Sequence, residues 1–156
     1  VFKADFPVTL YNSPERMKEG GDNLRTEGMK LAKGEFIING NIDNLYYPDF
    51  LSRLAVVISD NEQIGVFINP VRMMGMVAEG GIHYDNPRDY TKSHVLKGVP
   101  PVVCNIDIMN LVAAKKIYEE IGYWFGRGST SDGIVYQSIC GKYQYVVTDI
   151  LVGEHY

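Results

Sequence analysis

Two short apolar runs constrain the fold most. GEFIIN (34–39) and IGVFIN (64–69) are each too short for a helix, rich in aromatic and β-branched residues, and closed by polar residues. Runs of that kind suit strands covered on both faces, as in parallel sheets. Between them Pro48 opens a helix whose stripe is Phe50, Leu51, Leu54, Val57 and Ile58, ended by Asp60-Asn61. Upstream, Asp22 is placed to cap a helix over 23–33, with Leu24, Gly28, Leu31 and Ala32 near one face and Gly34 as its stop. FPVTLYN (6–12) alternates like a strand before a turn at Asn12-Ser13-Pro14, and Gly20-Gly21 would end any helix begun at Pro14. The order β-α-β-α-β predicts a single α/β domain over 1–156, a mostly parallel sheet flanked by helices.

Residues 75–101 hold no sustained period, and a stretch of that length is expected to be a lid or an acceptor-facing loop with at most a short strand. VVCNIDI (102–108) is expected to be a strand and NLVAAKKIYEEIG a helix ending at Gly122. After the loop WFGRGSTSDG, Ser131 is expected to cap a helix to about Cys140, with Ile134, Val135 and Ile139 inward. YQYVV (144–148) reads as the last strand, leading out through TDILVGEHY.

Composition removes several classes of function. With 156 residues, 46% hydrophobic and 22% charged, the chain can bury a real core. A formal charge of −4 without a Lys/Arg block argues against nucleic acid as a partner. No apolar run approaches the roughly 18 residues of a membrane span, and no leader pattern opens the sequence. Cytoplasmic location is the expectation. Cys104 and Cys140 lack a CxxC spacing and read as small buried hydrophobes in a reducing compartment, with one disulfide left open.

Several residues are candidates for chemistry. Asp43 lies just past a buried strand, at the sheet edge where ligands gather, flanked by Asn41 and Asn44. One carboxylate with amide neighbours is a minimal set for a hard cation that keeps places for phosphate oxygens, and it is also ordinary turn composition. Asp132, in STSDG, suits either a general base or a first-turn acid complementing the helix dipole. His155 can ligate a Mn2+-like ion beside a carboxylate, and Arg25 lies near a helix N-terminus that favours anions. His83 reads as an exposed loop residue. Phosphate-loop, dinucleotide, nucleophile-elbow and zinc motifs are absent. Asp43 and Asp132 could also be taken for a glycosidase pair, a distant third reading.

In order, LAKGEFIINGNIDNLYYPDFLSRL, NLVAAKKIYEEIGYW, STSDG and VTDILVGEH resemble the nucleotide-sugar glycosyltransferases of the GT-A fold, family 2 type, over most of 20–156. The resemblance implies an inverting transfer that uses Mn2+ or Mg2+. The donor is a nucleotide sugar, UDP-sugar favoured, and the acceptor a glycan, protein or lipid. By position it implies Asp43 and His155 as metal ligands and Asp132 as the base. It puts Arg25, Asn41 and Asn44 on the donor, and Trp124 beside the acceptor. Asn41 stands where the family has the first acid of its D-x-D motif, and Ser131 where it has the Glu of an E-D pair. FPVTLYN resembles the family's third strand, so two βα units of roughly 30 residues each are expected to lie in a missing N-terminal portion. A non-catalytic sugar-nucleotide-binding or scaffold domain on the same fold is the alternative.

Overall fold

The computed structural model describes residue 9 and residues 22–77, 83–84, 89–125 and 128–156, apart from the side chains of Asp22, Val77, His83, Tyr84 and Ser129. FPVTLYN lies outside the described residues but for Thr9, as does the Pro14 to Gly21 stretch. Helix α1 (Asp22–Leu31) leads to β1 (Phe36–Ile38), β2 (Leu45–Tyr46), α2 (Phe50–Ser59) and β3 (Val66–Ile68). Then come β4 (Val71–Met74), β5 (Met76–Val77), β6 (His83–Tyr84) and β7 (Ser93–Leu96). The remainder is β8 (Leu111–Ala114), α3 (Lys115–Ile121), a 3-10 turn (Gly128–Thr130), α4 (Ser131–Lys142), β9 (Val146–Val147) and β10 (Gly153–His155).

The architecture is α/β with two mixed four-stranded sheets and a small β5-β6 pair. The first sheet runs β1-β8-β3-β9 and the second β2-β10-β4-β7. In each, two pairings are antiparallel and one is parallel, so the described sheets are mixed where a mostly parallel one was expected. The reason is β8. Leu111-Val112-Ala113-Ala114 was expected within a helix, yet it lies fully buried and antiparallel to β1 on one edge and β3 on the other. Two filled ladders and complete burial outweigh the helix propensity of Leu and Ala. The helix shrinks to Lys115–Ile121 but ends where expected, at Gly122, whose φ of 83° is the left-handed cap conformation. Residues 102–108, expected to be a strand, form turns instead. Pro100 and Pro101 supply no N–H for a ladder there, and Cys104 sits at φ 67°.

Helix faces differ in detail from the sequence pattern. On α1, Met29 is the buried residue, while Leu24 and Leu31 are exposed. On α2, Phe50 and Leu54 are buried, Val57 and Ile58 pack partly, and Leu51 is exposed. On α4, Val135 and Ile139 point inward as expected and Ile134 does not. Both cysteines are thiols. Cys104 is exposed, correcting its buried reading; Cys140 is partly buried, and burial pushes its thiol up to about 12. Residues 75–101 carry β5, β6 and β7, with β7 paired to β4 and Gly75 N–H donating to Lys92 O at 2.9 Å. The expected loop is therefore anchored in the second sheet. Among the described residues no helix is long and apolar enough to cross a membrane.

Two of the chain's passages between the four-stranded sheets meet at one junction, the first at Asn69-Pro70 (β3 to β4) and the second at 148–152 (β9 to β10). Asn69 and Asn110, both fully buried, knit this junction. Asn69 N–H donates to Asn110 O at 2.7 Å, and Asn110 Nδ2 donates to Asn69 O at 2.7 Å and Leu96 O at 3.2 Å. Asn110 Oδ1 accepts Asp107 N–H at 2.6 Å. Thr148 Oγ1 donates to Asn69 Oδ1 at 2.7 Å, and Val152 N–H to Pro70 O at 2.9 Å, tying the second crossing to the first. Asn110→Ala strips partners from three backbone groups in a dry junction, each costing about 1–3 kcal/mol when left unmade. Urea unfolding should show a loss of about 3 kcal/mol or more; a change within about 0.5 kcal/mol, the range of ordinary surface substitutions, would mean the junction is not under tension from this side chain.

Candidate functional site

β1 delivers Asn39, Gly40 and Asn41 to one side of the first sheet. Asn39 is buried, its Nδ2 donating to Tyr118 Oη at 3.2 Å and Tyr136 Oη at 3.5 Å; Tyr136 Oη in turn donates to Ile108 O at 2.7 Å. This network pins the end of β1 to α3, α4 and the turn before β8. Gly40 follows because Tyr46 folds back over it: a Cβ on Gly40 would collide with the tyrosine hydroxyl.

Arg25 on α1 gathers three of the expected residues. Its Nη2 donates to Asn41 Oδ1 at 3.4 Å, and its guanidinium lies 5.3 Å from the centre of the Trp124 ring, a cation–π distance. Its positive charge also reaches Asp132. Trp124 is buried, set edge-on against Tyr136 with ring centres 5.8 Å apart, and its indole N–H has no acceptor among the described residues. Trp124 thus packs against both the Arg25 guanidinium and the Tyr136 ring.

Asp132 lies in the first turn of α4, which starts at Ser131 with Thr130 as N-cap where Ser131 was expected, and its Oδ1 accepts Gly133 N–H at 2.8 Å. Burial pushes its carboxyl above the ordinary aspartate value, and the Asp107 carboxylate adds to that; Gly133 N–H and Arg25 pull partly back. A carboxyl raised by burial is a stronger base once ionised than an exposed aspartate.

His155 ends β10. Its Nδ1 lies 3.0 Å from Oδ2 of Asp107, both side chains being largely buried. Asp107 was not foreseen, because NIDI reads as strand. In the structure it opens a turn: its Oδ1 accepts Met109 N–H at 3.0 Å and its carbonyl accepts Asn110 N–H at 3.0 Å. Aspartate before a turn with asparagine three residues on was the available signal. Asp107 links the two halves of the cluster, touching His155 and acting by charge on Asp132, Tyr136 and Tyr46.

Asp43 is placed differently. It sits exposed on the turn between β1 and β2, next to a fully exposed Ile42. β2 pairs with β10 through Gly153↔Tyr46 and Glu154↔Leu45, and one further step of that register sets Asn44 across from His155. Both amide atoms of Asn44 are buried beside the Tyr46 hydroxyl, with no well-formed hydrogen bond among the described residues. Among the described residues no three His, Cys, Asp or Glu side chains converge on one point. The donor set is nonetheless right for Mn2+ or Mg2+: carboxylate, imidazole and amide oxygen, with phosphate oxygens able to complete the shell. Two cavities lie elsewhere, about 200 Å³ beside Glu35, Glu62 and Lys115, and about 390 Å³ between Val103 and α4. No protein-family model matches the chain, and no curated protein matches it either.

Two consequences can be measured. Because its folded-state carboxyl is raised, Asp132 favours folding below the ordinary aspartate pKa, and that contribution is lost as pH rises through the raised value. Asp132→Asn should therefore gain stability over wild type between about pH 4 and pH 7 in paired melts, and a gap independent of pH would contradict the burial of the charge. Gly153 lets β10 approach β2 so closely that a Cβ there would run into the Leu45 backbone. Gly153→Ala should cut hydrogen-exchange protection across β10 while leaving β3 and β8 protected; unchanged β10 protection would show that the approach can relax.

Proposed function

We propose that this chain is a GT-A-type catalytic domain that moves a sugar from a nucleotide-diphosphate donor, UDP-sugar favoured, to an acceptor hydroxyl with inversion. One observation carries the reading. Residues as distant in sequence as Arg25, Asn41, Trp124, Asp132 and His155, assigned roles by the resemblance, come together through Arg25 and Asp107.

Arg25 faces the donor phosphates, with the Trp124 ring and Asn41 holding its guanidinium in place. His155 and Asp43 supply ligands for Mn2+ or Mg2+, Asp43 reaching in from its exposed turn on the diphosphate side. Such a cation, when bound, neutralises the departing nucleoside diphosphate. Asp132 accepts the proton of the acceptor hydroxyl as that oxygen bonds to the anomeric carbon and the bond from that carbon to the diphosphate oxygen breaks. The 75–101 stretch, whose β7 is paired to β4, would close over the donor and exclude water on this reading. Hydroxyls on glycans, proteins or lipids all meet the chemical requirement.

A non-catalytic sugar-nucleotide-binding domain is the second reading. It is favoured by Asn41, whose side-chain oxygen is taken up by Arg25 where the resemblance has an acid. Asp132→Asn separates the two. Mn2+-dependent UDP binding by calorimetry should survive, while sugar transfer from a UDP-sugar falls by about 10²–10⁴-fold. Transfer at the wild-type rate would remove Asp132 as the base, and UDP binding without transfer by the wild type would favour the binding domain.

A further inference from the structure

We propose that Asp107, to which the resemblance gives no role, is a direct ligand of the divalent cation together with His155. The inference rests on the metal-dependent reading above and names the carboxylate that anchors its metal. Asp107 Oδ2 and His155 Nδ1 stand 3.0 Å apart. Two ligand atoms bound at right angles to one ion at about 2.1 Å are themselves about 3.0 Å apart, so the pair already forms one edge of an octahedron. Both groups are held from behind. Asp107 is fixed by the Met109 N–H on its other oxygen and by Asn110 on its backbone N–H, and His155 by β10, paired on both sides. A rigid, largely buried carboxylate loses less order on binding a cation than the exposed Asp43 on its turn. Asn44, whose amide oxygen is buried without a well-formed hydrogen bond among the described residues and whose register sets it across from His155, offers a third oxygen. Diphosphate oxygens and Asp43 would supply the remaining ligands.

Asp107→Asn distinguishes a ligand from a turn-former. Asparagine keeps the oxygen that accepts Met109 N–H and the backbone N–H bound to Asn110, so the turn survives; only the charge is lost. Mn2+ binding by the whole chain, followed through the electron paramagnetic resonance of the free ion with and without UDP, should weaken at least about tenfold in Asp107→Asn, with the metal-free melting temperature nearly unchanged. A wild-type affinity in Asp107→Asn overturns the proposal and leaves Asp107 as an ion-pair partner of His155. A test without substitution follows the carbon resonances of labelled aspartate side chains during Mn2+ titration. Early broadening at Asp107 supports direct ligation, and broadening at Asp43 that spares Asp107 overturns it. Failure of the wild type to bind Mn2+, even with UDP, overturns the metal-dependent reading and this proposal with it.

Discussion

The reciprocal bonding of Asn69 and Asn110 holds the rest of the structure in place. A chain that leaves one sheet and enters another within two residues strands its backbone groups in the interior, where each unmade hydrogen bond is costly. Here the Asn110 side chain closes three of those groups, and Asn69 takes the Thr148 hydroxyl that secures the second crossing. The same bonds fix the cluster. Asn110 Oδ1 sets the turn that presents Asp107, and the crossing tied down by Thr148 and Val152 delivers β10 and His155. The Asp107–His155 contact is a product of the junction and not of any local motif.

Legibility in the sequence follows from how local each cause is. GEFIIN and IGVFIN showed as strands because short, doubly buried runs have few other uses, and Gly122 marked a helix end because the left-handed cap is a local demand. β8 did not show. Leu-Val-Ala-Ala has helix-compatible residues, and only β1 and β3 on its two sides make it a strand. With β8 misplaced, the turn before it was read as strand and Asp107 disappeared into it. Asn69 and Asn110 were equally hidden, since an asparagine after an apolar run looks like any turn residue until its partner is known. Cys104 was misread for the same reason as Asp107: an expected strand was in fact an exposed turn. Of the candidate residues, Asp132, Arg25, Asn41, Trp124 and His155 were named from order along the chain, but what connects them was not visible there.

The places where folding and chemistry disagree gather around the same cluster. Asp132 keeps a carboxylate where burial disfavours charge; among the described residues, Trp124 buries an indole N–H without an acceptor, and Asn44 an amide without a well-formed hydrogen bond. Each is a cost that a sequence selected only for stability would shed, by Asn, Phe or an apolar residue of similar volume. For Asp132 the Gly133 N–H and Arg25 offset part of the cost, whereas for Trp124 and Asn44 no well-formed hydrogen bond does so among the described residues. Elsewhere the interior is well satisfied: Asn39, Asn69, Asn110, Tyr118 and Tyr136 all have partners, although they are buried as deeply. A fold that satisfies polar groups so fully at its junction, yet leaves the Trp124 N–H and the Asn44 amide without bonds among the described residues and Asp132 only partly compensated, can satisfy them with a bound partner. Their chemistry describes that partner: a proton for Asp132, an acceptor atom for the Trp124 N–H, and for Asn44 a cation or donor hydroxyl facing its amide oxygen. On the proposed reading, a sugar with its hydroxyls, bound through a phosphate and a metal ion, would bring all of these at once.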